Sequence, residues 1–236
     1  MMNGFVGEFF GSAVMIIFGA GTGAEVNLQK TNGHGANWFM VCLSWGMAVA
    51  FGAYVGGALG SLGHLNPALT VPYAICGLFP WKNVVPYLCG QFLGAFVGAI
   101  IVILHYWPHF KATKTLEEGN TVGIFATLPA INSPFWNFMS EVIATFSLAF
   151  VLLHMGAKIA DGLTPLLVGF LIFVIGVGLG GTTGFAMNPA RDWGPRLAYT
   201  ILPVPNKTSA RWDYAWVPMV GPLVGGLLAA ALTKAI

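Results

Sequence analysis

The sequence predicts an all-α membrane protein: six transmembrane helices plus two half-helices, arranged as inverted three-span repeats. Three observations predict it. Of 236 residues, 56% are hydrophobic and only 8% are charged, whereas an ordinary soluble domain carries roughly 25% charge. A soluble chain so poor in charge would expose too much apolar surface to stay dispersed. Six apolar stretches come close to the ~20 residues that a spanning helix needs. Finally, Asn-Pro-Ala occurs twice, at Asn66, Pro67 and Ala68 and at Asn188, Pro189 and Ala190, each time ahead of an apolar stretch too short to span.

The six spans run roughly over 5–24, 38–58, 86–106, 138–157, 164–183 and 215–233. The N-terminus lacks a basic region and its apolar run is long enough for a first span, so no cleavable signal peptide is expected. Polar, Pro- or Gly-bearing joints separate the spans: Gln29 to Gly33, Lys111 to Asn120, Lys158 to Gly162 and Pro203 to Arg211. High Gly and Pro contents suit close helix packing in lipid.

At each Asn-Pro-Ala, Asn is a good N-cap, and Pro at the first helical position gives up an N–H that has no partner there. Gly-rich stretches lie upstream, Gly56 to Gly60 and Gly178 to Gly181. Each unit therefore reads as a non-helical segment entering a short helix. Non-helical backbone at membrane depth is tolerated only where protein buries it or water lines it, so two such units imply a channel or a transport cavity.

The two halves repeat. Glu8-Phe9-Phe10-Gly11 in the first span matches Glu141-Val142-Ile143-Ala144 in the fourth, and Gly90 to Gly94 in the third matches Gly221 to Gly225 in the sixth. The chain divides into a first repeat at about 1–110, a connecting loop at about 111–134 and a second repeat at about 135–236. Three spans per repeat is odd, so the second half enters from the opposite face and the repeats are inverted. Both Asn-Pro-Ala N-termini should then meet near the middle of the membrane.

Other chemistries find little support. A formal net charge of +2 is too small to imply a nucleic-acid partner. Cys42, Cys76 and Cys89 sit inside apolar stretches without disulfide or metal-ligand spacing and read as small buried hydrophobes. His34, His105, His109 and His154 fall in or near expected loops and form no metal cluster, a pH sensor among them being the sharper alternative. No zinc-helix motif and no supported Ser–His arrangement suggests an enzyme, and no cofactor is expected.

Gly63-His64-Leu65-Asn66-Pro67-Ala68-Leu69-Thr70 and Gly184-Phe185-Ala186-Met187-Asn188-Pro189-Ala190-Arg191-Asp192 resemble the paired signatures of the aquaporin superfamily, over essentially the whole chain. The Asp after the second Asn-Pro-Ala-Arg resembles the glycerol uptake facilitator branch. That resemblance implies a passive channel for glycerol and other small neutral solutes, with water, that excludes protons and ions. It also implies a homotetramer in the bilayer of the cell membrane, with one pore per subunit and both termini cytoplasmic. Urea, dihydroxyacetone and undissociated lactic acid are further candidate solutes. Charge placement gives the orientation no independent support. It puts Lys82, Lys158 and Lys234 inside but Lys30, Lys111, Lys114, Lys207 and Arg211 outside, the reverse of the positive-inside bias.

By the same resemblance, Trp45, Gly176, Phe185 and Arg191 form the narrowest point. Arg in a membrane is costly unless it faces water or pairs. Its guanidinium is expected to serve as a fixed cation and hydroxyl donor, the bland alternative being a salt bridge to Asp192. Trp45 alone would read as an interfacial anchor. Gly176 stands where water-selective members carry His, which leaves room for Phe185. Asn66 and Asn188 should offer amide donors where two half-helix dipoles, each about half a positive charge, converge. Carbonyls of Leu62, Gly63 and His64 and of Gly184, Phe185 and Ala186 should supply acceptors, His64 being structural and pore-lining rather than a gate. Glu8 and Glu141 should hold the two loop backbones, with a proton-relay role as the alternative, and Asp192 should set loop geometry and widen the mouth. One departure from the facilitators is Leu128 before Pro129, where an aromatic is common. The rival readings are a water-selective aquaporin and a proton-coupled secondary transporter, whose coupling acids could only be Glu8 and Glu141.

Overall fold

The computed structural model describes residues 4–155, 160 and 162–236. Among them are nine α-helices, a few 3₁₀ turns and no strand. Six helical stretches are long and apolar enough to cross a membrane: α1 (Phe5–Asn27), α2 (Trp38–Ala58), α4 (Val84–His105) with the 3₁₀ turn before it, α6 (Pro134–Met155), α7 (Thr164–Leu179) with the 3₁₀ turn after it, and α9 (Trp216–Ala235). The half-helices are α3 (Pro67–Ile75) and α8 (Pro189–Ile201), and a short α5 (Trp107–Ala112) follows α4. At 1.5 Å per residue α3 spans only about 14 Å, less than half a hydrocarbon core of about 30 Å.

Several edges differ from expectation, each for a local reason. The fourth span starts at Pro134 rather than 138 because Pro occupies a helix start well and Asn137 Oδ1 accepts the Ser133 N–H at 2.9 Å. The first span runs on to Asn27, whose side-chain amide donates to the Gly23 carbonyl at 2.7 Å. The fifth ends at Leu179 and continues as a 3₁₀ turn, Gly180–Thr182. The expected joint at Lys158 lies outside the described residues. The connection at 111–134 is more than a loop: Val122, Ile124, Phe125 and Ala126 are buried in the main core.

Glycines let the spans touch backbone to backbone. A Cβ on Gly90 would sit 3.0 Å from Glu8 Cβ, and one on Gly94 would overlap the Phe9 carbonyl oxygen. In the second half, a Cβ on Gly221 would sit 2.8 Å from Glu141 Cβ, and one on Gly225 would overlap the Val142 carbonyl oxygen. The same pair of glycines thus seats α4 on α1 and α9 on α6. Gly46 of α2 and Gly169 of α7 face each other in the same way. Close approach of this kind drives helix association where lipid removes the hydrophobic advantage. Gly94→Val is expected to cost about 3 kcal/mol or more through overpacking and to abolish the monodisperse peak of detergent-extracted protein. Leu93→Val, at a half-exposed neighbour, should leave that peak intact.

Each half-helix packs on the last span of the other repeat. Gly226 of α9 has no room for a Cβ beside the Ala68 carbonyl of α3, and Gly194 of α8 lies 2.8 Å, from its would-be Cβ, from the Ala95 Cβ of α4. The two halves are therefore interlocked at the centre, which is where the candidate site lies.

Candidate functional site

The half-helix N-termini meet. Asn66 and Asn188 both take extended backbone at the cap position. Asn66 Oδ1 accepts from Ala68 N at 2.8 Å, and Asn188 Oδ1 accepts from Ala190 N at 3.0 Å and Arg191 N at 3.1 Å. Capping commits each oxygen and turns each amide nitrogen outward. Asn66 Nδ2 then donates to the Met187 carbonyl at 2.8 Å, and Asn188 Nδ2 donates to the Leu65 carbonyl at 2.7 Å. The exchange is reciprocal across the repeats. An amide has two N–H donors, so each Asn keeps one beyond this exchange, and both residues line the central cavity.

The residues before the two caps, Leu65 (φ 51°) and Met187 (φ 48°), sit in the left-handed region, a strain of about 1–3 kcal/mol each. The two buried carboxylates hold them there. Glu8 accepts from His64 N at 2.9 Å and Leu65 N at 2.7 Å, and Glu141 accepts from Ala186 N at 3.0 Å and Met187 N at 2.8 Å. Each carboxylate has a further support that the sequence reading did not name. Gln91 Nε2 donates to Glu8 Oε2 at 2.7 Å and to Thr70 Oγ1 at 3.0 Å, and Thr183 Oγ1 donates to Glu141 Oε1 at 2.7 Å. Gln91 was findable as the one amide inside the six spans expected from the sequence.

With their N–H groups drawn toward the glutamates, the loops leave carbonyls free. No hydrogen bond among the described residues ends on the carbonyls of Leu62, Gly63, His64, Gly184, Phe185 or Ala186, and all six residues line cavities. His64 lies among Tyr73, Phe79 and Tyr87, its Nδ1 hydrogen-bonded with Thr70 Oγ1 at 3.0 Å.

Two cavities, of about 370 and 380 Å³, share part of their lining: Trp45, Phe185 and Arg191 line both. These three side chains mark the boundary between the cavities. The Arg191 guanidinium carbon lies 3.7 Å from the centre of the Trp45 ring, a cation–π contact that holds the cation without neutralising it. Leu128, at the departure from the facilitator pattern, lines the second of these cavities, of about 380 Å³, with them.

The bland alternative for Arg191, a salt bridge to Asp192, is not formed: that carboxylate accepts from Thr127 N and Thr127 Oγ1, both at 2.8 Å, and from Arg196 Nε at 2.7 Å. It is fully buried and ties α8 to the 111–134 connection. Arg196 completes the cluster and was overlooked, although its i,i+4 spacing from Asp192 was a usable signal. Gly176, in turn, lines neither cavity. A Cβ there would meet Phe185 Cζ at 3.0 Å and Cys42 Sγ at 3.0 Å, so Gly176 lies behind Phe185 and supplies its berth. Gly180, one turn on, does the same: its Cβ would overlap the Phe185 ring.

Comparison with known proteins agrees with this geometry. The family model described as "Major intrinsic protein" matches residues 1–233. The chain is 62% identical to "Glycerol uptake facilitator protein 2" of Lactiplantibacillus plantarum, covering all of both sequences. It is 51% identical to the "Glycerol uptake facilitator protein" of Bacillus subtilis, over 95% of this chain and 81% of that one. Among solved structures it resembles the aquaglyceroporin from Plasmodium falciparum, with a TM-score of 0.84 and 31% identity over 99% of both chains.

Proposed function

The chain belongs to the major intrinsic protein family, and from that premise we propose how its pore selects what it passes. The protein is a multi-pass membrane channel that facilitates the diffusion of glycerol. The observation that carries the selection mechanism is the boundary of Trp45, Phe185 and Arg191 between the two cavities. Two aromatic surfaces meet the C–H edge of a polyol while the Arg191 guanidinium donates to its hydroxyl edge. Asp192 is neutralised by Arg196, so Arg191 keeps its full charge and repels cations.

Beyond the filter, a solute passes the remaining N–H donors of Asn66 and Asn188. A water that accepts from both cannot also relay a proton along a continuous wire. The positive ends of α3 and α8 raise the energy of any cation at the same place. The free carbonyls of Leu62, Gly63 and His64 and of Gly184, Phe185 and Ala186 supply the acceptors that replace solvent on either side. Because Glu8 and Glu141 are both committed to loop N–H groups, neither is free to act as a coupling acid, which favours a passive channel over proton-coupled transport. The likeness runs to facilitators and channels rather than to enzymes. A homotetramer in the cell membrane, with cytoplasmic termini, is the assembly and orientation we propose. Urea, dihydroxyacetone and undissociated lactic acid share the size and hydrogen-bonding character of glycerol and are the further solutes.

Stopped-flow light scattering on proteoliposomes, with glycerol and then sucrose as osmolyte at several external pH values, tests this. The expected result is fast glycerol-driven reswelling that no proton gradient alters. Rapid water flux without glycerol would place the protein with water-selective channels, and gradient-driven uptake would make it a transporter.

A further inference from the structure

Trp38 opens α2, one residue after its cap Asn37. A Trp at the end of a span usually anchors the helix at the lipid interface. This one is 42% exposed but also makes contacts toward the interior. Its indole N–H donates to the Gly176 carbonyl of α7 at 3.1 Å, an oxygen that already accepts the Gly180 N–H. Its ring meets Phe185 edge-on, with centroids 5.6 Å apart and planes at 88°. It also lines the cavity of about 380 Å³ together with Trp45, Phe185 and Arg191.

Phe185 needs such a clamp. Its backbone has a φ of 39°, a region that side-chain-bearing residues rarely adopt, so local preference does not fix the ring. Gly176 at the end of α7 and Gly180 in the 3₁₀ turn after it give the ring a side-chain-free seat, but a seat bounds one side only. Trp38 bounds another, and its hydrogen bond ties the seat to α2. We propose that Trp38 is a positioning residue for selectivity, holding Phe185 against α7 and thereby setting the width of the aromatic side of the constriction. This rests on the reading of Trp45, Phe185 and Arg191 as the filter.

The readout is the ratio of glycerol to erythritol permeability per inserted channel, erythritol being one hydroxylated carbon longer. Trp38→Ala frees Phe185 to swing and should lower that ratio by roughly fivefold, the size of one edge-to-face aromatic contact. Trp38→Phe keeps an aromatic edge but loses the N–H and should lower it by about twofold, at the small end for one hydrogen bond. An interfacial anchor would change the amount inserted and leave the ratio alone, so a wild-type ratio in Trp38→Ala overturns the proposal. If that variant does not insert, Trp38→Phe decides, and a wild-type ratio there overturns it equally. Phe185→Ala is measured in parallel. A shifted ratio in Phe185→Ala with none in the Trp38 variants sinks the Trp38 role alone, whereas no shift in any of them sinks the filter reading itself.

Discussion

Gly176→His combined with Phe185→Ala is expected to lower glycerol permeability at least about tenfold, some 1.4 kcal/mol of added barrier, while water permeability stays within about twofold. Both changes are needed. A Cβ on Gly176 already lies 3.0 Å from Phe185 Cζ, so an imidazole there has no room until the ring is removed. Once it is removed, the imidazole faces the cavity from the seat that Phe185 had occupied, opposite Arg191. The constriction then offers polar groups from two sides and an apolar surface from Trp45 alone. A water molecule exchanges solvent hydrogen bonds for protein ones and loses little. Glycerol must still desolvate its carbon edge and now finds a polar group, which has water to bind, in place of the second aromatic plane. Phe185→Ala alone widens the constriction without adding the imidazole and should keep glycerol flux. Unchanged glycerol flux in a normally inserted double variant would mean that the filter lies elsewhere.

This prediction shows where sequence reasoning stops. That Gly176 bears on size came from the family resemblance, which sets it at the expected constriction, where a missing side chain leaves space. That the space is filled from behind, with Gly176 lining neither cavity, depends on the direction in which α7 turns its face, which the unbroken apolar run Phe170 to Ile175 before it does not encode. Gly180 was hidden in a Gly-rich stretch for the same reason. Trp38 and Trp45 are seven residues apart on one helix, two full turns, so they share a face. The prior that a Trp near a span end anchors to lipid concealed the first of them.

The centre of the fold was legible because its determinants are local and doubled. Capping chemistry fixes Asn66 and Asn188 in isolation, and repetition at matched positions then places Glu8 and Glu141 beside the loops they hold. What is missing from such a reading are the partners brought in from far along the chain: Gln91 reaching Glu8 from another span, or the Met187 and Leu65 carbonyls exchanged between halves. The connection before α6 carried least signal of all. Its Thr127 lies 65 residues from Asp192 and yet completes the burial of that carboxylate.

That cluster carries the largest stability effect expected in the chain. Arg196 is fully buried, and all five of its N–H donors are engaged. Nε and Nη2 donate to Asp192 at 2.7 and 3.0 Å, Nη2 also to the Thr127 carbonyl at 3.1 Å, and Nη1 to the Ala210 and Arg211 carbonyls at 2.6 and 3.0 Å. One side chain therefore joins α8, the connection before α6 and the loop before α9. Arg196→Met removes the cation and leaves the buried Asp192 side chain with only Thr127 to answer it. Breaking a buried pair from one side costs about 3–5 kcal/mol, most of it the stranded charge. The variant should lose most of its folded, detergent-stable population and its glycerol flux with it. Thermal unfolding followed by size-exclusion chromatography provides the check, with two comparisons that isolate the cause. Arg196→Met with Asp192→Asn should recover part of the loss, since no uncompensated charge then remains. Arg211→Ala removes a cation from the pair with Asp213, which is exposed at 36% and 65%. It should melt as the parent does, because solvent already screens that interaction. Wild-type melting in Arg196→Met would show that Asp192 finds water or another donor, and the cluster would then be a consequence of the fold rather than one of its supports.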